Sequence, residues 1–481
     1  MRIDLRIPSP DAGRSSLRSG SWQAWGIPIL LLIVILLCVE RLEGQSGPTP
    51  VSYELNVGIE PAQGSLQVAG TVDVPLSDVS AKTMSFALHE TFAITKLVVN
   101  GQVASFRYQP IAATMLNAAT RNVTVDLPPG AAGKVHIEIK YAGRLKQLPE
   151  FGADPNAKFA MDDQINTRLV ELANYSAWYP QFETMGRPIQ SKLEVSLPKG
   201  WTPICSGAKI AEQEREERVV TRWASPRDID IVIAAAPNYK KKLVSLPGGQ
   251  LEIYYTQLPQ QFVDREGAEI ASVMNLFTQK LGESSFSSGT IKHVFSPKRK
   301  GQGRAGIARP GMIVTSEGRV LEQLQQNPDF SLFQDIAHEI AHFWWNFGAG
   351  QGDWINEASA EYWSAIAVKQ IRSEQQFADV MRGYRDGVAE LPADAPSLAT
   401  VPFDGSSFVV RYYKGSLMLD AFRHALGDDQ FYAAAREFFD AHKGRPTGTA
   451  EFRSFWKEKL RDRQEMVDRW LDSRGGAPDS K

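Results

Sequence analysis

Apolar and polar residues alternate through the first half of the chain. The alternation is clearest over residues 53–59, 66–74 and 135–141, where every second side chain is apolar. A period of two predicts strands that bury one face. An Asn-Gly pair at positions 100–101 lies between two apolar runs and predicts a tight hairpin turn. Residues 51–247 are therefore predicted to form an antiparallel β-sandwich domain.

The pattern changes at about residue 248, where short strands begin to alternate with helices. Three short apolar runs predict strands at 251–255, 292–295 and 312–315, with a helix at 262–281 between the first two. Amphipathic helical spacing follows over residues 417–426, 429–442, 449–460 and 466–471. Residues 248–475 are thus predicted to form an α/β domain that ends in helices.

The N-terminal segment has the pattern of a targeting or anchoring sequence. Arginines precede an almost uninterrupted apolar run at residues 22–39. A basic flank holds the N-terminal side in the cytoplasm and sends the remainder across the membrane. A cleaved signal peptide and a retained membrane anchor both fit residues 1–50 together with their linker. In either case the rest of the chain is predicted to be extracytoplasmic: periplasmic, in the cell envelope or secreted.

Composition narrows the function classes. The chain has 481 residues, which predicts two or three domains, and a formal net charge of −2. A net charge so close to zero does not indicate the basic surface that nucleic-acid binding requires. Cys38 lies in the apolar N-terminal run and Cys205 is the other cysteine, so the folded part has no disulfide framework.

The strongest chemical signal is the pattern H-E-x-x-H, formed by His338, Glu339 and His342 within an apolar helical segment. Histidines four residues apart share one helix face and can bind one Zn²⁺. Zinc lowers the pKa of water to about 7, and Glu339 is then predicted to act as the general base. By itself the motif also fits a helix surface with a salt-bridging glutamate.

A catalytic zinc needs a third protein ligand. The next predicted helix carries Glu357 and Glu361, which share a face because they are four residues apart. One can be the third ligand, and the other can accept a hydrogen bond from a zinc histidine.

These residues resemble the aminopeptidase N family of gluzincin metallopeptidases, in which H-E-x-x-H precedes a ligand glutamate in a W-L-N-E-G-F-A-x-Y helix. Glu361 has the family's eighteen-residue gap from His342, whereas Glu357 has the family's neighbours in Trp-Ile-Asn-Glu. Neighbours fix which helix face meets the metal, so Glu357 is predicted as ligand and Glu361 as the supporting residue. The resemblance implies a thermolysin-like catalytic domain, and an Asn-Glu followed by a carboxylate four residues later is also similar to thermolysin.

Three further positions are assigned by the same resemblance. Glu171 begins a stretch similar to E-P-x-x-A-R-x-x-F-P-C-F-D, which implies binding of a substrate's free amino group. In place of the family's G-A-M-E-N the chain has Ala308 where the second amine-binding glutamate would stand, followed by Arg309. We expect Arg309 to favour a substrate carboxylate or an acidic side chain. Tyr412 matches the family's Y-x-K-G element and is predicted to stabilise the oxyanion.

The sequence therefore predicts a zinc metallopeptidase that acts on a peptide or protein, with one Zn²⁺ per chain. Aminopeptidase action is the first expectation. Endopeptidase action is an alternative, because Ala308 removes an amine-binding carboxylate. A low-turnover zinc-containing peptide-binding scaffold and hydrolysis of a non-peptide substrate are the remaining alternatives.

Overall fold

A computed structural model describes residues 49–478 apart from 77–80, 112–118, 130, 132, 151–153, 155–159, 183–187, 247, 285–288, 304–305, 349–351 and 403–406. The predicted targeting segment at 22–39 lies outside the described residues. Within the described ranges, no helix combines the length and apolar character needed to span a bilayer.

The strands follow the alternating pattern of the sequence and extend beyond the predicted runs. In chain order they are β1 (Val51–Glu60), β2 (Ser65–Leu76), β3 (Thr83–His89), β4 (Ala93–Val99), β5 (Gln102–Val103), β6 (Phe106–Pro110), β7 (Thr120–Asp126), β8 (Gly133–Arg144), β9 (Gln164–Ile165), β10 (Val170–Leu172), β11 (Gln181–Phe182), β12 (Ile189–Pro198), β13 (Trp201–Cys205), β14 (Ala208–Arg215), β15 (Arg218–Asp228), β16 (Ile233–Pro237), β17 (Lys240–Leu246), β18 (Gly249–Tyr255), β19 (Thr290–Ser296), β20 (Ile307–Arg309) and β21 (Met312–Ser316).

The N-terminal part is built from three sheets around one apolar core. Their strand orders are β14-β15-β12-β1-β2-β8-β4-β5, β13-β16-β10-β9 and β11-β3-β7-β6. Most pairs are antiparallel as predicted, but β1 pairs with β12 in parallel. The predicted hairpin joins β4 to β5, and Asn100 and Gly101 both have positive φ, which a two-residue turn of this kind requires.

The C-terminal part contains a five-stranded mixed sheet in the order β17-β18-β19-β21-β20, followed by packed helices. The helices are α1 (Gln260–Leu281), α2 (Glu317–Gln326), α3 (Phe333–Ala341), α4 (Trp354–Ala367), α5 (Glu374–Ala389), α6 (Gly415–Leu426), α7 (Asp428–His442), α8 (Thr449–Leu460) and α9 (Gln464–Asp472). A large apolar core unites this sheet with the helices. The predicted fold class, a β-sandwich followed by an α/β domain ending in helices, is confirmed.

The two parts share a close interface. The sheet of the second part begins with β17 at Lys240, before the predicted domain boundary at 247/248, since β17 pairs with β18. A small apolar cluster joins the sheet containing β16 to β19 and β21. Lys292 on β19 is 2% exposed, and its ammonium donates to the carbonyl oxygens of Cys205 (2.6 Å) and Gly207. This lysine therefore connects the five-stranded sheet to the N-terminal part.

Candidate metal centre and active site

Helix α3 and the turn that follows it bring the two motif histidines together. The helix ends at Ala341, and His342 continues with helical backbone angles (φ −62°, ψ −13°). The two Nε2 atoms therefore lie on the same side, 3.2 Å apart. Apolar neighbours such as Ile336 and Ile340 are buried in the core, which fixes the helix face that carries the histidines.

The second nitrogen of each imidazole is held by an acceptor. Nδ1 of His338 lies 2.8 Å from Glu361 Oε2, and Nδ1 of His342 lies 3.0 Å from the backbone oxygen of Trp345. A carboxylate and a carbonyl only accept, so both Nδ1 atoms carry the proton. Each Nε2 then presents a lone pair toward the other ring, as a metal ligand requires.

Glu357 on α4 completes a three-atom donor set. Its Oε2 lies 3.5 Å from Nε2 of His338 and 3.5 Å from Nε2 of His342. Two ligand atoms bound to a tetrahedral zinc at about 2.0–2.2 Å lie roughly 3.3–3.6 Å apart, which is the spacing found here. Oε2 of Glu357 is also buried without a hydrogen-bond partner in the described part of the chain. These residues therefore fit a zinc ion.

The position of Glu357 depends on its neighbour Asn356. The side-chain oxygen of Asn356 accepts from the backbone nitrogen of Gly348 (2.8 Å), and its amide donates to the oxygen of the same glycine (3.1 Å). A Cβ on Gly348 would lie 2.4 Å from the oxygen of Gly352. Gly348 is thus held close to the start of α4, where Glu357 faces the two histidines.

Glu339 lies beside the donor set and against a glycine. A Cβ on Gly306 would lie 2.6 Å from Oε1 of Glu339, so that glycine leaves room for the carboxylate. Burial raises the pKa of the Glu339 carboxyl group. The group is placed and tuned as a general base would be.

Tyr412 reaches the centre from a π-helical turn, Val410–Lys414, that runs directly into α6. Its ring stacks on His338, with centroids 5.5 Å apart and planes inclined by 6°. Burial raises the pKa of Tyr412, as do the charge of Glu357 and a hydrogen bond to it. The phenol therefore stays protonated and can donate a hydrogen bond at neutral pH.

Two charged residues of this turn, Lys414 and Arg411, anchor it to other parts of the chain by hydrogen bonds. Lys414 is fully buried, and its ammonium donates to the carbonyl oxygens of Ser473 (2.7 Å) and Gly475 (2.9 Å). Arg411 donates to Asp353, and one of its nitrogens lies 3.6 Å from Oε1 of Glu357. The side chain of Asp353, which directly precedes α4, makes no cap hydrogen bond and accepts from Arg411.

Glu171 is buried and already paired. It lies on β10, and its Oε1 accepts from the ammonium of Lys298 at 2.8 Å. The same ammonium lies 3.1 Å from Oδ1 of Asp162. Glu171 lines a small cavity together with Ile307, the first residue of β20, which directly follows Gly306. Its predicted role toward a substrate amine stays a prediction.

Arg309 lines the same cavity but is held within the protein. Its Nε donates to Asp230 Oδ2 and its Nη2 to Asn174 Oδ1, each at 2.8 Å. Asp230 is fully buried and needs a cationic partner. This differs from the open guanidinium that a substrate carboxylate would require, although the predicted role itself stays a prediction.

Sequence reasoning missed several residues of this region. Tyr384 on α5 donates to Glu361 Oε1 at 2.6 Å, and neither Arg411 nor Lys298 had been connected with the centre. Arg411 could have been noticed, because it directly precedes Tyr412. Tyr384 and Lys298 carry no local sequence signal, since their partners are distant along the chain.

The fold, the three-atom donor set and the neighbouring acid resemble those of gluzincin-type zinc peptidases. Residues 271–470 match the sequence profile described as "Peptidase family M1 domain". This part of the chain is therefore a peptidase family M1 domain, and the resemblance to the aminopeptidase N family is confirmed for it. Zinc is the metal that this family implies.

The relatives agree with that assignment. Aminopeptidase N of Lactobacillus delbrueckii subsp. lactis is 26% identical over 163 residues, a match that covers 29% of this chain and 18% of that protein. The chain thus spans under a fifth of that relative. The M1 zinc metallopeptidase of Deinococcus radiodurans is 17% identical, with a TM-score of 0.72, over 90% of this chain and 96% of that one.

A mutant of the Deinococcus radiodurans enzyme bound to a Tyr-Ser-Ala substrate superposes with a TM-score of 0.69 at 15% identity, again over 90% and 96% of the two chains. At these identities the structural matches establish the fold.

Proposed function

We propose that this protein is a zinc-dependent peptidase of the aminopeptidase type, with His338, His342 and Glu357 as metal ligands. The observation that carries the proposal is the donor set itself. Three ligand atoms from α3, its following turn and α4 have the mutual spacing of a tetrahedral zinc site. Glu339 and Tyr412 border the same space, which a purely structural zinc site would not need.

The mechanism follows from the residues around that space. Bound zinc supplies a Lewis acid that polarises a carbonyl and acidifies water. Glu339 takes the proton from the attacking water and later delivers it to the leaving amine. The Tyr412 phenol donates to the oxygen on which negative charge develops, and its raised pKa keeps that donor protonated. Glu361 holds His338 in the tautomer that leaves Nε2 free to bind metal.

The test uses one peptide with a free and with an acetylated amino terminus, with products followed by mass. The proposal expects release of residues one at a time from the free form, and loss of that activity in Glu339→Gln while zinc content is unchanged. Peptide binding without cleavage by the wild type would favour the scaffold alternative. Retained activity in Glu339→Gln would overturn the role given to that residue.

Internal cleavage is a second candidate, and two observations favour it. Glu171 is ion-paired with Lys298, so part of the negative charge that would attract a substrate ammonium is already neutralised. Ala308 provides no second carboxylate. Equal cleavage of the acetylated and free peptides within the chain would support this candidate over the first.

We also propose an extracytoplasmic location, with residues 22–39 as either a cleaved signal or a membrane anchor. The proposal rests on the apolar run and its arginine flank. Fractionation of cells that express the full chain, followed by N-terminal sequencing, tests it. Recovery of the uncleaved protein in the cytosol would overturn it.

A further inference from the structure

A chain of three hydrogen bonds lies behind His338, on the side away from the donor set. Tyr384 on α5 donates to Glu361 Oε1 at 2.6 Å, and Glu361 Oε2 lies 2.8 Å from His338 Nδ1. The chain of hydrogen bonds begins at Gln334, whose side-chain amide donates to the Tyr384 hydroxyl at 2.9 Å. Gln334 and His338 are both on α3, so the chain of hydrogen bonds starts and ends on that helix and connects it to α4 and α5.

The direction of each bond follows from chemistry. An ionised carboxylate only accepts hydrogen bonds, so the Tyr384 hydroxyl must be the donor to Glu361. The same hydroxyl oxygen can then accept a hydrogen bond from Gln334. Both oxygens of Glu361 are thereby occupied by donors from different helices. A carboxylate held at both oxygens cannot rotate away from His338 without breaking a short hydrogen bond.

Packing of the Tyr384 side chain fixes the position of its hydroxyl between Gln334 and Glu361. Tyr384 is 4% exposed, and its ring stacks on Tyr413 with centroids 4.7 Å apart and planes inclined by 22°. Tyr413 follows Tyr412, which itself stacks on His338. The two tyrosine stacks therefore hold the imidazole and its carboxylate partner from neighbouring positions.

We propose that Tyr384 is a positioning residue for the zinc site, acting through Glu361 on His338. By fixing Glu361 it keeps the Nδ1 proton of His338 in place and aims Nε2 at the metal position. Tyr384 itself touches neither metal nor substrate. The inference rests on the proposed metal site and adds a residue that neither the motif nor its spacing contains.

The test measures zinc affinity by competition with a chelator in Tyr384→Phe, which keeps the ring and its stacking. Loss of an outer partner of this kind weakens metal binding by roughly 10- to 100-fold. We expect a dissociation constant at least about 10-fold higher for Tyr384→Phe, with an unchanged unfolding midpoint of the metal-free protein. Tyr413→Phe is the matched control, because it removes the hydroxyl of the tyrosine that stacks on Tyr384 and that hydroxyl is not part of the chain of hydrogen bonds. The zinc affinity of this variant should equal that of the wild type.

Glu361→Gln supplies the background that separates positioning from general packing. If Tyr384 acts through Glu361, the Tyr384→Phe effect shrinks to near onefold in that background. An equal effect in both backgrounds would overturn the proposal. So would a lower unfolding midpoint of the metal-free Tyr384→Phe protein with unchanged zinc affinity. Absence of stoichiometric zinc in the wild type would instead show that the proposed metal site is wrong.

Discussion

The room around Glu339 depends on a single hydrogen atom at Gly306. A methyl group there would lie 2.6 Å from Oε1 and 2.7 Å from Cγ of the carboxylate, well inside contact distance. Because the metal ligands are untouched, Gly306→Ala should bind zinc normally and yet displace Glu339. We expect kcat to fall roughly 10- to 100-fold, the cost of a small misplacement of a catalytic group.

Peptide hydrolysis and zinc content measured on the same Gly306→Ala sample check this expectation. Gly383→Ala is the control, since a Cβ at that position in α5 would meet no atom within 4 Å. Full activity in Gly306→Ala would show that Glu339 can adopt another productive position.

The zinc affinities of variants at Glu357 and Glu361 distinguish the roles of these two glutamates of α4. Glu357 faces both Nε2 atoms, whereas Glu361 contacts His338 at Nδ1. Glu361→Gln should therefore weaken zinc binding roughly 10- to 100-fold, and Glu357→Gln should weaken it further. Metal content after equilibration at limiting zinc provides the measurement. If only the Glu361 variant loses its metal, the assignments of ligand and supporting residue are reversed.

At the scale of elements, the close approach of α6 to α4 determines how near the turn that carries Tyr412 lies to the metal ligands on α4. A Cβ on Gly415 would lie 2.4 Å from the Cβ of Ala358, so the helices meet where one residue has no side chain. Gly415→Ala should destabilise the fold by about 1–3 kcal/mol, the usual cost of overpacking, and lower kcat by displacing Tyr412.

Urea unfolding and peptide hydrolysis measure the two effects of Gly415→Ala. Adding Ala358→Gly removes the opposing methyl group and should restore much of the activity. A double variant no better than the single one would mean that this contact does not control the position of Tyr412.

Sequence periodicity predicted the elements well but not their irregular parts. The alternation over residues 53–59 corresponds to the buried face of β1, and the Asn-Gly pair lies at the predicted hairpin. The π-helical turn at Val410–Lys414 escaped prediction because its extra residue leaves the apolar spacing almost helical. The pairing of Asp353 with Arg411 also escaped prediction, because the two residues are far apart along the chain.

At the scale of the whole molecule, Lys292 couples folding to pH. Burial lowers the pKa of its ammonium from the ordinary value of 10.5 to about 8. Between those values the unfolded chain binds more protons than the folded chain, so this contribution to stability rises with pH across the window. The unfolding free energy of the wild type relative to Lys292→Met should thus rise by up to about 3 kcal/mol from below pH 8 to near pH 10.

Urea unfolding of both proteins at the two ends of that window provides the measurement. Using the difference cancels the titration of shared groups that do not interact with Lys292. A difference that does not change with pH would mean that Lys292 titrates at the same pH in the folded and unfolded chains.

Long-range charge pairing marks the limit of what the sequence could predict. The metal donors come from α3, the turn that follows it and α4, and short motifs in the sequence predicted them. Lys298 and Glu171 are far apart along the chain, and neither shows its partner locally. Arg309 likewise looked free to meet a substrate, because Asp230 belongs to the sandwich. Such pairs are decided by how the two parts of the molecule meet.

The hydrogen bonds from Lys414 to the carbonyl oxygens of Ser473 and Gly475 have a consequence for the order in which the parts of the active site form during synthesis. Every proposed catalytic group has left the ribosome before those two carbonyl oxygens are made, yet without them a buried ammonium lacks its acceptors. The turn that carries Tyr412 is then unsupported. A nascent chain would therefore contain its zinc ligands before it could hold Tyr412 in place, and peptide hydrolysis would begin only after residues 473–475 had emerged and folded onto Lys414.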